Sequence, residues 1–147
     1  MSIKDILITL ITLIPLTIAG ITDYKRRIIP NYCCALIGLI GLVGAAILSP
    51  ADMLFFPLSH RIAGFLLPAI FMVLYAMKNE GATGGGDVKL IAVIGLTFGI
   101  VGLVYILTLT IFTGLLWAKI HSIKSIPLAT FIMISVWSLA IYFFLGR

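Results

Sequence analysis

Charged residues are scarce in this sequence. Only 10% of its 147 residues are Asp, Glu, Lys or Arg, against about a quarter in a typical soluble domain, and 62% are hydrophobic. A chain of this composition cannot bury its apolar surface in one aqueous core. The apolar runs therefore predict an all-α integral membrane protein, in which stretches of about 20 residues cross the lipid bilayer as helices.

Cysteine and histidine are also rare, and their placement excludes several kinds of site. Cys33 and Cys34 are adjacent inside an apolar run, which does not match the spaced pairs of a zinc site and indicates small core or lipid-facing residues. His60 and His121 fall on opposite sides of the predicted membrane, so they cannot share a metal ion. Ser122 beside His121 has no orienting acid for a serine-protease triad. We therefore expect neither a metal nor a cofactor.

The basic residues lie in short connectors between the apolar runs and give a net charge of +5. No basic stripe with interleaved aromatic residues is present, so we do not expect nucleic-acid binding. Positive charges in short connectors are typical of those that orient a membrane protein.

The apolar runs predict about six membrane spans. The run from Val88 to Ala118 would form a helix of about 46 Å, too long for a hydrocarbon core about 30 Å thick, so Gly95, Gly99 and Gly102 predict a turn within it. A cleaved signal peptide is disfavoured for the first run because it is long and lacks an A-x-A site. The predicted spans are residues 3–22, 31–48, 62–77, 88–99, 102–118 and 126–145.

The distribution of basic residues predicts the orientation. Six spans place both termini on one side, and the connectors at 23–29, 78–89 and 119–125 share the other side. These connectors hold seven Lys and Arg residues, whereas the terminal side holds three, namely Lys4, Arg61 and Arg147. The richer side is expected to be cytoplasmic. The prediction is a multi-pass plasma (inner) membrane protein with both termini outside.

Five acidic residues exist, and two of them stand out. Asp5, Asp52 and Glu80 are expected to be ordinary solvated charges in connectors or outer regions. Asp23 and Asp87 each lie where an apolar helix meets a cytoplasmic connector. Because a carboxylate near hydrocarbon is costly, such a residue indicates function, although either acid alone could simply mark a helix end in the headgroup layer.

The local electrostatics differ between the two acids. Asp23 follows the first span and lies near its partially negative end, which disfavours the ionised form, whereas Asp87 precedes the fourth span, where backbone N–H groups favour a carboxylate. If the two meet in space, one shared proton provides an acid and a base, as in an aspartic-protease pair. We predict that Asp23 and Asp87 are catalytic.

The glycines before Asp87 fit the same hypothesis. Gly84, Gly85 and Gly86 allow positive φ and close approach of a substrate backbone, so we expect them to form a substrate-binding loop, with a flexible connector as the alternative. A phosphate-binding P-loop is excluded because Asp87 stands where lysine is needed and no Ser or Thr follows. A Rossmann turn is excluded because no soluble βαβ unit surrounds the glycines.

These residues resemble a known family. The stretch GGGDVKL at 84–90 resembles the G-x-G-D motif of the prepilin peptidases, which are membrane aspartic proteases related to archaeal preflagellin peptidases. Asp23 followed by RIIPN at 27–31 resembles the family's first acid, basic cluster and I-P-N, and IPLA at 126–129 resembles its late proline stretch. The resemblance covers essentially the whole chain and agrees with six spans.

The resemblance implies an aspartic endopeptidase that removes the short basic leader of prepilin-like precursors at the cytoplasmic face, usually after a glycine. Many bacterial members carry an additional N-terminal region with paired C-x-x-C zinc motifs and methylate the product. Without those cysteines, residues 1–147 are expected to be a single peptidase domain, similar to the short forms that serve Flp or tight-adherence pili. Methylation is not implied, and the sequence makes no prediction of oligomeric state.

Two alternatives from other classes stay open at this point. A small ion-coupled transporter or channel subunit would use Asp23 and Asp87 as a proton or ion relay, and would place them near the middle of broken, repeated helices. A non-catalytic membrane assembly factor would leave the two acids far apart.

Overall fold

The computed structural model describes residues 3–47, 58–78, 84–121 and 126–145, and these residues form an all-α protein, which confirms the predicted fold class. The apolar runs form helices because a helix satisfies every internal backbone hydrogen bond within the segment. The helices are α1 (Ile3–Arg26), α2 (Asn31–Ile47), α3 (Leu58–Lys78), α4 (Gly85–His121) and α5 (Leu128–Leu145).

Within the part of the chain that the structure describes, two helical stretches are long and apolar enough to cross a membrane by length and composition, namely Leu7–Arg26 in α1 and Gly85–Ile120 in α4. The other helices contain shorter apolar stretches. Large apolar side chains cover the outer faces of the helices, and Phe71 and Leu74 of α3 are 69% and 60% exposed. Such a surface suits a hydrocarbon environment and supports a location in a membrane. The number of six spans stays a prediction.

Helix α4 is divided by a sharp break. Gly99 has φ 68° and ψ 176°, which no L-residue adopts easily. A Cβ atom added at Gly95 would lie 3.2 Å from the side chain of Leu103, eight residues later, so the chain folds back at Gly99. The turn predicted between Gly95 and Gly102 is therefore present at Gly99. The two arms are called α4a (residues 85–98) and α4b (residues 100–121).

Helix α4 is the centre of the packing. It contacts α2, α3 and α5, while α1 packs against α5 and α2. The buried core includes both cysteines, which are small core residues as expected. Small residues let helices cross closely, because a Cβ added at Gly95 would lie 1.8 Å from the carbonyl oxygen of Gly64. The largest fully buried aliphatic side chains of this core are Leu16, Ile37, Leu90, Ile94, Ile106, Ile132 and Val136.

Several helix boundaries differ from the predictions. Helix α1 continues four residues beyond the predicted end at Thr22, because Lys25 and Arg26 lie in its last turn, where positive charges complement the helix dipole. Helix α4 begins at Gly85 and not at Val88. Helix α3 begins at Leu58 and not at Ile62, and α5 begins two residues later than predicted. As a result, Asp23 and two of the three glycines are helical.

Arg61, predicted only as one of the basic residues on the terminal side, is a buried packing residue. Its side chain is 2% exposed, and Nη1 donates a hydrogen bond to the Gly41 carbonyl oxygen at 2.9 Å. The bond joins α3 to α2.

Candidate active site

The C-terminal end of α1 and the N-terminal ends of α2, α4 and α5 meet around an open pocket of about 460 Å³. Asp23 and Asp87, which are distant in the sequence, both line it. The three glycines line it as well. The structure thus brings together every residue predicted for the site. The remaining lining residues are Arg27, Ile28, Ile29, Asn31, Ile126 and Leu128.

Asp23 lies one turn before the end of α1 and is 5% exposed. The backbone N–H of Ala129 donates a hydrogen bond to Asp23 Oδ2 at 2.9 Å, so the N-terminal end of α5 points at this carboxylate. The positive end of α5 counteracts the effect of the partially negative end of α1 on Asp23, so the predicted electrostatic contrast between Asp23 and Asp87 is weaker than expected.

The chain turns sharply after Asp23. Arg27 has φ 56°, and its N–H donates to the Asp23 carbonyl oxygen at 2.9 Å, which ends α1 with a left-handed residue. The next three residues are not helical, and the Pro30 carbonyl oxygen then accepts the N–H of Cys33 at 3.1 Å as α2 begins. The charge of Arg27 also acts on the Asp23 carboxylate.

Asp87 lies in the first turn of α4. The Gly84 carbonyl oxygen accepts the N–H groups of Asp87 at 3.0 Å and Val88 at 3.4 Å, so Gly84 is the N-cap. The Asp87 carboxylate folds back towards Gly84, whose backbone N–H stabilises it, in the manner of a capping box. The side chain is half-buried, and its charge interacts with that of Asp23.

The glycines act differently from the prediction. Among the described residues, positive φ occurs at Arg27 and Gly99, so Gly84, Gly85 and Gly86 do not use the positive φ that glycine allows. They start a helix, which requires ordinary negative φ. The reason for a missing side chain at Gly86 is space, because an added Cβ would lie 3.1 Å from the Cβ of Ile29, whereas at Gly85 it would meet nothing within 4 Å.

One polar contact at the site was not foreseen. Lys89 Nζ donates a hydrogen bond to Asn31 Oδ1 at 3.1 Å, which joins the first turn of α4 to the first residue of α2. Both residues stand in the motifs quoted above, but no spacing rule pairs side chains that are 58 positions apart.

The other candidate residues lie elsewhere. The side chains of Asp5, Asp52, Glu80 and His121 are outside the described residues, and His60 is exposed on α3. Within the described ranges, no three His, Cys, Asp or Glu side chains are grouped so that they could hold a metal ion.

Comparisons with known proteins show the family of this chain. Residues 10–119, which include both acids and the glycines, match the model of the type IV leader peptidase family. The chain is 38% identical over 85 residues to the prepilin leader peptidase/N-methyltransferase of Bacillus subtilis (strain 168). That stretch is 58% of this chain but 32% of the relative. No solved structure matches. Because the family model matches well over half of the sequence, the chain belongs to the type IV leader peptidase family.

Proposed function

We propose that the protein is an aspartic endopeptidase that removes the short basic leader from prepilin-like precursors at the cytoplasmic face of the plasma membrane. Asp23 and Asp87 are its catalytic pair. The single observation that carries the proposal is that these two carboxyl groups, on different helices, line one open pocket and interact electrostatically. Membership of the leader peptidase family supports the same reaction class.

The proposed reaction is hydrolysis by a water molecule held between the two acids. The ionised carboxylate accepts a proton as the water oxygen attacks the peptide carbonyl carbon, while the protonated partner donates its proton to the carbonyl oxygen. The first carboxyl group, now protonated, then donates that proton to the leaving amine as the carbon–nitrogen bond breaks, and the partner takes a proton back from the gem-diol hydroxyl. We assign the base to Asp87 and the acid to Asp23. N–H donors reach both carboxyl groups, so a proton shared between them would belong to the pair and not to either residue alone.

The glycines complete the proposed site. Gly84, Gly85 and Gly86 leave one wall of the pocket without side chains, so an extended substrate backbone has room to approach Asp87. Gly85 is exposed, and space is open where its side chain would be. We propose that these residues bind the substrate around the scissile bond.

The orientation follows from the charges. With the basic connectors in the cytoplasm, the pocket opens there and both termini lie outside. A precursor with a basic leader and an apolar helix would present their junction at this depth. The proposed partners are thus the precursor and the bilayer.

The position of the acids argues against an ion-relay function. Asp23 is in the last turns of α1 and Asp87 in the first turn of α4, whereas a relay across the membrane requires ionisable groups near the middle of helices. The shared pocket likewise argues against a scaffold that would leave the acids apart.

Cleavage of a purified precursor tests the proposal. The detergent-solubilised protein is incubated with a type IV prepilin, and the product mass locates the cut. Asp23→Asn and Asp87→Asn keep the side-chain shape and are each expected to lower the rate on the order of 10³-fold, because each removes one partner of the proton transfer.

Asp5→Asn is the matched control, since Asp5 lies at the opposite end of the helix that carries Asp23, and it should cleave like the wild type. Cleavage at the wild-type rate by either Asp23→Asn or Asp87→Asn would exclude Asp23 and Asp87 as the catalytic pair.

A further inference from the structure

An apolar groove of about 780 Å³ lies between α2, α3 and α4a. Its α2 wall extends from Asn31 to Leu42, which corresponds to about 16 Å of helix, or roughly half the thickness of the hydrocarbon core. Most of its lining is aliphatic, and small residues at several points, including Ala35, Ala69 and Ala92, give it depth. Small residues are what membrane helices use to approach one another closely.

The groove adjoins the pocket that holds Asp23 and Asp87, called the dyad pocket. Asn31 lines both, and Val88 and Lys89, which follow Asp87 in the chain, line the groove. The Lys89–Asn31 hydrogen bond lies at the junction. The groove is therefore polar at the end near the acids and apolar everywhere else, which is the polarity of a peptide that enters the membrane at that point.

The opposite side of the pocket is closed by helix packing. Helix α5 is bonded to α1 at three depths: Ala129 N–H to the Asp23 carboxylate, Thr130 Oγ1 to the Gly20 carbonyl oxygen and Trp137 Nε1 to Thr17 Oγ1. The apolar grooves between α1 and α2 and on the outer face of α1 and α5 share no lining residue with the dyad pocket. A helix leaving the acids finds its continuous apolar path along α2 and α4a.

We propose that this groove binds the transmembrane helix of the precursor, so that the first turns of that helix lie along α2 and α4a while the leader junction reaches the acids. The proposal rests on the function proposed above and names the surface that selects a membrane-embedded substrate. It predicts that residues of the groove affect cleavage only when the substrate carries its apolar helix.

The test compares two substrates. One is a full-length type IV prepilin, and the other is a soluble peptide that contains the leader and the junction but no apolar helix. Ala35→Phe fills the groove from an exposed position, whereas Leu36→Phe places the same ring on the next residue, which does not line the groove.

We expect Ala35→Phe to lower kcat/KM for the full-length precursor about tenfold, the change that corresponds to about 1.4 kcal/mol of lost helix packing. Cleavage of the soluble peptide should not change. Leu36→Phe should cleave both substrates normally. A wild-type protein that cuts the full-length precursor but not the peptide also supports helix docking.

Photocrosslinking gives a readout that does not depend on cleavage. p-Benzoylphenylalanine placed at Leu42, inside the groove, should crosslink to the precursor in the Asp87→Asn protein, whereas the same residue at Leu36 should not; both positions are about half exposed.

Equal crosslinking at Leu42 and Leu36 overturns the groove proposal, and so does an equal decrease in the cleavage of both substrates by Ala35→Phe. Neither result contradicts the proposed peptidase function. If the wild type cuts neither the full-length precursor nor the peptide, the proposed function is overturned. The crosslinks still decide whether the groove binds the transmembrane helix of the precursor.

Discussion

Gly86 fixes the distance between the two halves of the candidate site, and replacing it with alanine should disturb the chemistry more than the binding. A Cβ at this position would lie 3.1 Å from the Cβ of Ile29 and 3.5 Å from its Cγ1. Carbon atoms in good contact lie 3.5–4.0 Å apart, so the backbone at Ile29 and the start of α4 must separate by at least about 0.4 Å. Ile29 follows α1, which carries Asp23, and Gly86 precedes Asp87.

The expected size follows from this displacement. A misplacement of about 1 Å in an active site can lower the rate about 10²-fold, so a shift of about 0.4 Å should lower kcat on the order of tenfold, with KM nearly unchanged. The free energy of unfolding should fall by about 1 kcal/mol, because overpacking costs about 1–3 kcal/mol and alanine recovers up to about 1 kcal/mol of helix propensity.

Gly85→Ala is the matched comparison, because it adds the same methyl group one residue earlier, where nothing lies within 4 Å. It should raise the free energy of unfolding by up to about 1 kcal/mol, since Ala is the better helix former. If Gly85 faces the substrate, KM should rise while kcat stays near the wild-type value. The assay is steady-state cleavage of a type IV prepilin together with thermal unfolding in the same detergent. A wild-type kcat in Gly86→Ala would refute the argument from the Ile29 contact.

Two further predictions concern stability. Gly95→Ala should destabilise the protein by about 3 kcal/mol or more, because the added Cβ would lie 1.8 Å from the Gly64 carbonyl oxygen on α3, where only a backbone shift relieves the clash. Thermal unfolding measures this loss of stability. A loss no larger than that of Gly86→Ala would contradict the prediction. Arg27→Gly should raise the free energy of unfolding by about 1 kcal/mol relative to Arg27→Ala, because both remove the charge but only glycine adopts φ 56° without cost. Equal unfolding temperatures of the two Arg27 variants would show that the left-handed turn does not strain the chain.

Sequence reasoning located the two acids because their signal is local. Asp23 and Asp87 each interrupt apolar sequence at a helix end, and the cost of a carboxylate there is visible without a structure. The turn inside the 88–118 run is equally local, since a straight helix would exceed the bilayer and glycine supplies the turn at Gly99.

What the sequence did not reveal depends on contacts between distant segments. The N-terminus of α5 reaches Asp23 across 106 positions, and Lys89 reaches Asn31 across 58. The helical state of Gly85 and Gly86 was missed because three consecutive glycines indicate a loop on propensity alone, and the packing of Ile29 against Gly86 overrides that tendency. Arg61 was counted only among the basic residues that predict the membrane orientation, because nothing in the neighbouring sequence indicates that its side chain is buried.

The candidate site is built from helix ends, and this explains how it can work at a membrane boundary. Asp23 accepts a hydrogen bond from the first turn of α5, and Asp87 is held by the first turn of its own helix, so backbone donors that a helix leaves unpaired are used to hold the acids. The acids therefore do not need long charged side chains from outside the bilayer to hold them in place. Because α5 packs against α1 and the groove along α2 and α4a adjoins the pocket, the described helices leave a lateral path by which the proposed membrane-bound substrate would reach the acids. A soluble peptide would reach the acids from the cytoplasm alone, which is why comparing the two substrates separates catalysis from substrate selection.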